Sequence, residues 1–271
     1  NVGVGGEVFL GGITAAYIGI NWTFLPKPAL YVACFVGAMV VAAAWALIPA
    51  VLRAYYNVNE VCTTILMNTV ALYITSYLVS GPMSAGTANA QSLPVTVRLY
   101  QFMKPSSVNV GIFIAAITVI VIIFMLQKSS WGYKIRTVGL NPTHADYVGI
   151  DSKKVFVGAM MLSGMLGGMA GCIEVLGVHG YFLNNFATGL GSNGMLAALI
   201  VKNNMVSTPF MAFFLAVLKS GAMGMQQSTG VPKSLVDTIT AVFIIIATME
   251  TAFQFTKKRK KKTEEKKEDK A

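Results

Sequence analysis

Ala29-Leu-Tyr-Val-Ala-Cys-Phe-Val-Gly-Ala-Met-Val-Val-Ala-Ala-Ala-Trp-Ala-Leu-Ile-Pro-Ala-Val-Leu52 carries no charged side chain, and Arg53 stops it. About 20 apolar residues of helix cross the roughly 30 Å hydrocarbon core of a bilayer. The stretch therefore predicts one transmembrane helix, and the rest of the chain repeats the pattern. Asn59–Ser80, Val110–Leu126, Val155–Val178 and Val236–Phe253 are further spans. Val8–Ile20 is short for a span, and Gly3–Gly12 extends it. Backbone groups in lipid must be satisfied within the segment, so the spans are helices. The expectation is an all-α, polytopic transmembrane bundle with about six to eight crossings. Residues 1–253 form the membrane domain, and residues 254–271 form a Lys-rich cytoplasmic tail without fixed structure.

Composition agrees. Of 271 residues, 55% are hydrophobic and 12% charged, against about 25% charged in soluble domains. The net charge of +10 does not form a basic face for nucleic acid. It is concentrated in the tail Lys257–Lys270 and in short loops, the positive-inside pattern. With the tail in the cytoplasm, alternation puts Arg53 and the loop Lys128–Lys154 inside, and Gly81–Ser107 outside. The tail also suits anionic lipid headgroups.

Several chemistries lack their residues. Cys34, Cys62 and Cys172 lie in apolar runs without zinc spacing, and His144 and His179 stand alone. No GxxxxGK[ST] loop is present, so ATP hydrolysis by this chain is not expected. No cofactor or metal is expected either. The chain opens on Asn1 without a basic leader and cleavage site, and an N-terminal part is expected to precede it.

Four places carry candidate function. Glu60, Thr64 and Asn68 recur every fourth residue and share one helix face. In a membrane that face turns to protein or water. It lines a solute path, or it bonds a neighbouring helix. Glu60 also falls near the cytoplasmic interface. Glu174 lies in an apolar run close to the outer end of its span, where it pairs with Lys219 or reaches the interface. Leu190–Val201 and Pro209–Met223, split by Lys202-Asn-Asn204, are half-helices near a substrate site or two tilted spans. Inside, Gly139-Leu-Asn-Pro-Thr-His-Ala-Asp-Tyr-Val-Gly149 predicts a short helix. Asn141 is its cap, Pro142 its first turn and Gly149 its end. It is a plain connector, or the element on which a motor pushes. Gly164, Gly167, Gly168 and Gly171 predict close helix packing.

Together these stretches resemble the nucleoside (simple-sugar) ABC transporter permeases. Asn59-Glu-Val-Cys-Thr-Thr-Ile-Leu-Met-Asn68 with Tyr77–Pro82, Val138–Ile150, Glu174–Gly177, Gly189–Leu199 with Asn203-Asn204, and Thr229–Asp237 follow the family order. Asn1-Val-Gly-Val-Gly-Gly-Glu7 resembles the family's Asn-Ile-Gly-x-Glu-Gly-Gln motif. The likeness runs from residue 1 to about residue 250.

The resemblance implies a subunit of an ATP-driven importer in the bacterial plasma membrane, within the branched-chain amino acid and ribose permease superfamily. It implies alternating access powered by a cytoplasmic ATP-binding subunit. The implied partners also include a second permease, as a heterodimer, and an extracellular substrate-binding lipoprotein. It makes Gly139, Asn141, Pro142, Ala145 and Gly149 the coupling segment, and it implies one or two helices before Asn1. The implied solute is a nucleoside or related sugar. Two departures bear on function. Gly5-Gly6-Glu7 replaces Glu-Gly-Gln, leaving no clear role for Glu7. Asn193 stands where the family often has an acid before its paired asparagines, which bears on selectivity. An ion-coupled secondary transporter using Glu60 and Glu174 is the alternative.

Overall fold

The computed structural model describes residues 1–102 and 106–229, with Ser234, Thr238, Ala241 and Val242 beyond them. The expected span Val236–Phe253, the tail 254–271 and most of the motif Thr229–Asp237 lie outside the described residues. Among the described residues the chain is all-helical apart from three isolated β-bridges.

The elements are α1 (Val4–Asn21), α2 (Lys27–Tyr56), α3 (Glu60–Ser80), α4 (Gly111–Lys128), α5 (Ser130–Leu140), α6 (Pro142–Tyr147), α7 (Ser152–Ile173), α8 (Leu190–Ile200) and α9 (Ser207–Thr229). A π-helical turn, Glu174–His179, prolongs α7. Five of these segments are long and apolar enough to cross a membrane: α2, α3, α4, α7 with its π turn, and α9. The chain forms two units, Asn1–Ser192 and the part from Asn193 onward.

Within the first unit, α1, α2 and α7 make the core. Small residues decide this. Ala38, Ala42 and Ala46 of α2 are fully buried and recur every fourth residue, so they form one face. Gly164 and Gly168 of α7 lie against that face, and Gly171 lies against the backbone of Val8 in α1. A Cβ at Gly168 would meet the Ala38 carbonyl, and one at Gly171 the Val8 carbonyl. Lipid offers no hydrophobic drive for helix association, so such close backbone approach is what holds the trio. α4 is different. Only Gly111 is buried on it, while Ile112, Phe113, Ile117, Ile120, Val121 and Phe124 are exposed, as suits contact with lipid.

The loop after α3 is better ordered than its Ser/Pro composition suggests. Val95, Val97 and Leu99 alternate inward and are buried. Its backbone satisfies the outer end of α7. Leu99 N–H donates to the Leu176 carbonyl at 2.9 Å, Val95 N–H to Gly180 at 2.9 Å and Ser92 N–H to Phe182 at 2.8 Å. The Arg98 guanidinium donates to the His179 carbonyl at 2.9 Å, and the Gln101 amide to Gly177 at 3.1 Å. A π turn widens the helix, and the loop takes up the carbonyls at this end.

The loop between α4 and α7 holds two helices where the sequence predicts one. Ser129 caps α5 by accepting the Gly132 N–H at 3.1 Å. Its polarity disguises α5 as loop.

Candidate functional site

The start of α1 sits deep in the bundle. Glu7 lies against Gly167, roughly midway along the 28-residue rod Ser152–His179. At 1.5 Å per residue, Gly167 is roughly 22 Å from the inner end of that rod. Asn68 of α3 meets the same level. Its Oδ1 accepts the Gly6 N–H at 2.7 Å, and its Nδ2 donates to the Val2 carbonyl at 2.9 Å. The first N–H groups of a helix lack intrahelical partners, and Asn68 supplies one from a neighbouring span. Asn1 Oδ1 supplies another, to Gly3 N–H at 2.8 Å.

The beginning of α8 reaches the same place, where Gly191 packs on the Gly5 backbone. The segment Gly180–Gly189 descends to it from the outer end of α7, with Phe186 stacked edge-on against Phe9 at 5.5 Å. Two helix starts thus meet near mid-depth. α8 has 11 residues, or roughly 16 Å, about half a bilayer core. α9 has 23 residues, enough to cross. The pair is one half-length and one full-length helix, between the two arrangements the sequence leaves open. Non-helical backbone at membrane depth is tolerated where protein or a polar cavity surrounds it, and transporters place solute sites at such breaks.

Glu7 belongs to this node. It is 1% exposed. Asn1 Nδ2 donates to its Oε1 at 2.8 Å and approaches Ser163 Oγ at 3.0 Å. Its Oε2 is buried without a hydrogen-bond partner. The departure from the motif hides this residue in sequence; the signal is an acid directly after the glycine pair Gly5-Gly6, inside an apolar run.

The other candidates separate. Thr64 is buried, and its hydroxyl donates back to the Glu60 carbonyl at 2.7 Å. Glu60 is not in the node; it pairs with Arg53 at 3.1 Å at the inner end of α3. Glu174 opens the π turn and is half-buried. Asn193 is half-buried on α8, and like Lys219 it belongs to the second unit.

The coupling segment has a different inside and outside from the expected one. Asn141 caps α6, accepting the His144 N–H at 3.0 Å. Gly149 takes φ +81°. Its N–H donates to Asp146 at 3.1 Å, and Ile150 N–H donates to Ala145 at 2.9 Å. These two bonds form a Schellman motif, and the left-handed position suits Gly. Ala145 is wholly buried under that turn, so its side chain packs within this chain and is no outward contact. Leu140, Tyr147 and Val148 are exposed, the first two at 88% and 86%. Asp146 accepts the Ser152 N–H and hydroxyl, both at 3.0 Å, tying α6 to α7. Asp151 caps α7, and the Lys154 N–H and ammonium hold its carboxyl below the usual range.

Residues 1–248 match the family described as the branched-chain amino acid transport system permease component. The chain belongs to that family. This permease is 32% identical to a guanosine ABC transporter permease of Bacillus subtilis, over 97% of this chain and 77% of the relative. It is 32% identical to a glucose ABC transporter permease of Haloferax volcanii, over 90% and 68%. It is 28% identical to a nucleoside ABC transporter permease of Lactococcus lactis, over 90% and 70%. No solved structure matches it significantly. The permease is a multi-pass membrane transport subunit of an ABC importer rather than an enzyme, and the family implies association with an ATPase and a substrate-binding protein. The ion-coupled alternative gives way to that membership.

Proposed function

We propose that this permease carries nucleosides, with related sugars second, across the membrane. The carrying observation is the similarity, over nine-tenths or more of this chain, to permeases for guanosine and for nucleosides. The polar node supports it. Asn68, Glu7 and the starts of α1 and α8 bring hydrogen-bonding groups together near mid-depth.

The chain pairs with a second permease as a heterodimer and receives solute from an extracellular lipoprotein. It holds no cofactor; ATP binds and is hydrolysed in the cytoplasmic subunit. The exposed face Leu140–Tyr147–Val148 docks on that subunit. Asn141, Pro142 and Gly149 shape the helix that presents this face, and the Asp146–Ser152 bonds pass its motion to α7. The experiment is uptake of labelled guanosine by membranes holding the complete transporter. Uptake should require ATP, survive collapse of ion gradients, and be competed by nucleosides more strongly than by glucose. Glucose uptake without guanosine uptake would reverse the order of substrates.

A further inference from the structure

The outer end of α1 borders a cavity of about 440 Å³ that the mid-depth node does not use. The outer turns of α1, the end of α3 and the loop from Pro82 to Leu93 enclose it. The loop is fixed there by its own backbone. Met83 N–H donates to Leu78 at 2.9 Å, and Ala85 N–H donates to Gln91 at 2.9 Å.

Cavity and node share one seam. Gly6, Ile13, Tyr17 and Ile20 fall on one face of α1 at helical spacing. Gly6 is the residue that Asn68 binds, and the other three line the cavity. On α3, Leu78 lines the cavity and stands roughly 15 Å along the axis from Asn68. The Asn68 level lies inward of the cavity along the same faces of α1 and α3.

The lining states what fits. No charged side chain borders the cavity, so an ionised solute finds no counter-charge. Most of the wall is apolar, which suits a planar ring better than a bare polyol. Tyr17 is half-exposed at the wall. The polar groups are few and open on one side. One N–H of the Asn21 amide donates to the Tyr17 carbonyl at 2.9 Å, leaving the other N–H to donate and the oxygen to accept. Ser84 Oγ accepts the Gly86 N–H at 3.2 Å, leaving its own proton to donate. Apolar walls with a few directed polar groups characterise small-molecule sites.

We infer that this cavity is an outer subsite for a neutral nucleoside. Its base lies on Tyr17, its polar edges meet Asn21 and Ser84, and it precedes passage along the α1–α3 seam. The inference rests on the nucleoside reading above and adds the place and the contact. The test is labelled guanosine uptake by the complete transporter carrying Tyr17→Leu, which keeps apolar bulk and removes the ring. KM should rise about tenfold at unchanged membrane level and maximal rate, within the range for losing one base–aromatic stack. Tyr17→Phe should keep the wild-type KM. Asn21→Ala provides a second variant that leaves the wall intact, and it too should raise KM. Wild-type KM in both Tyr17→Leu and Asn21→Ala, with normal guanosine uptake, overturns the subsite and leaves the substrate reading standing. A fall in maximal rate alone makes Tyr17 a packing residue and also overturns it. Absence of guanosine uptake in the wild type overturns the substrate reading, and the subsite falls with it.

Discussion

Asn68 shows how one amide serves both fold and path. It closes two backbone groups at the start of α1, from a different span. Asn68→Leu keeps the volume roughly, leaves the Val2 carbonyl without its partner and leaves the Gly6 N–H with only the Gly3 carbonyl at 3.1 Å. An unsatisfied buried group costs about 1–3 kcal/mol. The variant should therefore show a lower unfolding midpoint in detergent together with weakened uptake. Weakened uptake at an unchanged midpoint would assign the amide to solute alone. Glu7 gives a second test. As an anion its buried Oε2 lacks compensation, and burying an unpaired charge is expensive. Glu7→Gln removes the charge and keeps the acceptor for Asn1, so it should insert and transport at least as well as wild type. Glu7→Lys should fail to accumulate in membranes. Equal behaviour of the two variants, read by membrane level and uptake, would show that charge at this site is immaterial. The sequence shows that Asn68 shares a face with Thr64. It does not show the partner, because Val2 and Gly6 are more than sixty residues away.

At the scale of the element, α6 separates what holds a helix from what the helix presents. The cap, the first-turn proline and the terminal glycine are local signals, and Asn141, Pro142 and Gly149 take those places. Local signals do not say which side faces out, and there the expectation for Ala145 fails. Its side chain is wholly buried within this chain. Ala145→Arg should accordingly disrupt the loop itself, seen as faster proteolysis between α5 and α7 in the isolated permease. Tyr147→Asp should leave proteolysis and membrane level unchanged, yet lower ATPase co-purification and ATP-dependent uptake several-fold. Normal retention of the ATPase by Tyr147→Asp would move the docking face elsewhere. Gly168→Leu tests the core trio. Close approach of α7 to α2 leaves no room for the side chain, overpacking costs about 1–3 kcal/mol or more, and the unfolding midpoint in detergent should fall. An unchanged midpoint would mean that the trio opens without cost.

For the whole molecule, the apolar runs make the helical membrane class legible before any coordinate is known, and the basic loops set the expected orientation. Single cysteines at Ser130 and Thr87, in a background without Cys34, Cys62 and Cys172, should label from opposite sides of the membrane. Labelling from the same side would undo the orientation. Hydropathy is blind to the mid-depth node, because it averages over windows longer than the break between the descending segment and α8. It is equally blind to the loop after α3, whose anchoring runs mostly through main-chain groups. That mode of anchoring has an evolutionary corollary. Amide-to-carbonyl bonds are indifferent to what the residue displays, so outward positions such as Tyr100, with its ring exposed, can drift in sequence while the end of α7 stays sealed. The extracellular rim can thus be re-lettered for a new docking protein without redrafting the conduit beneath it.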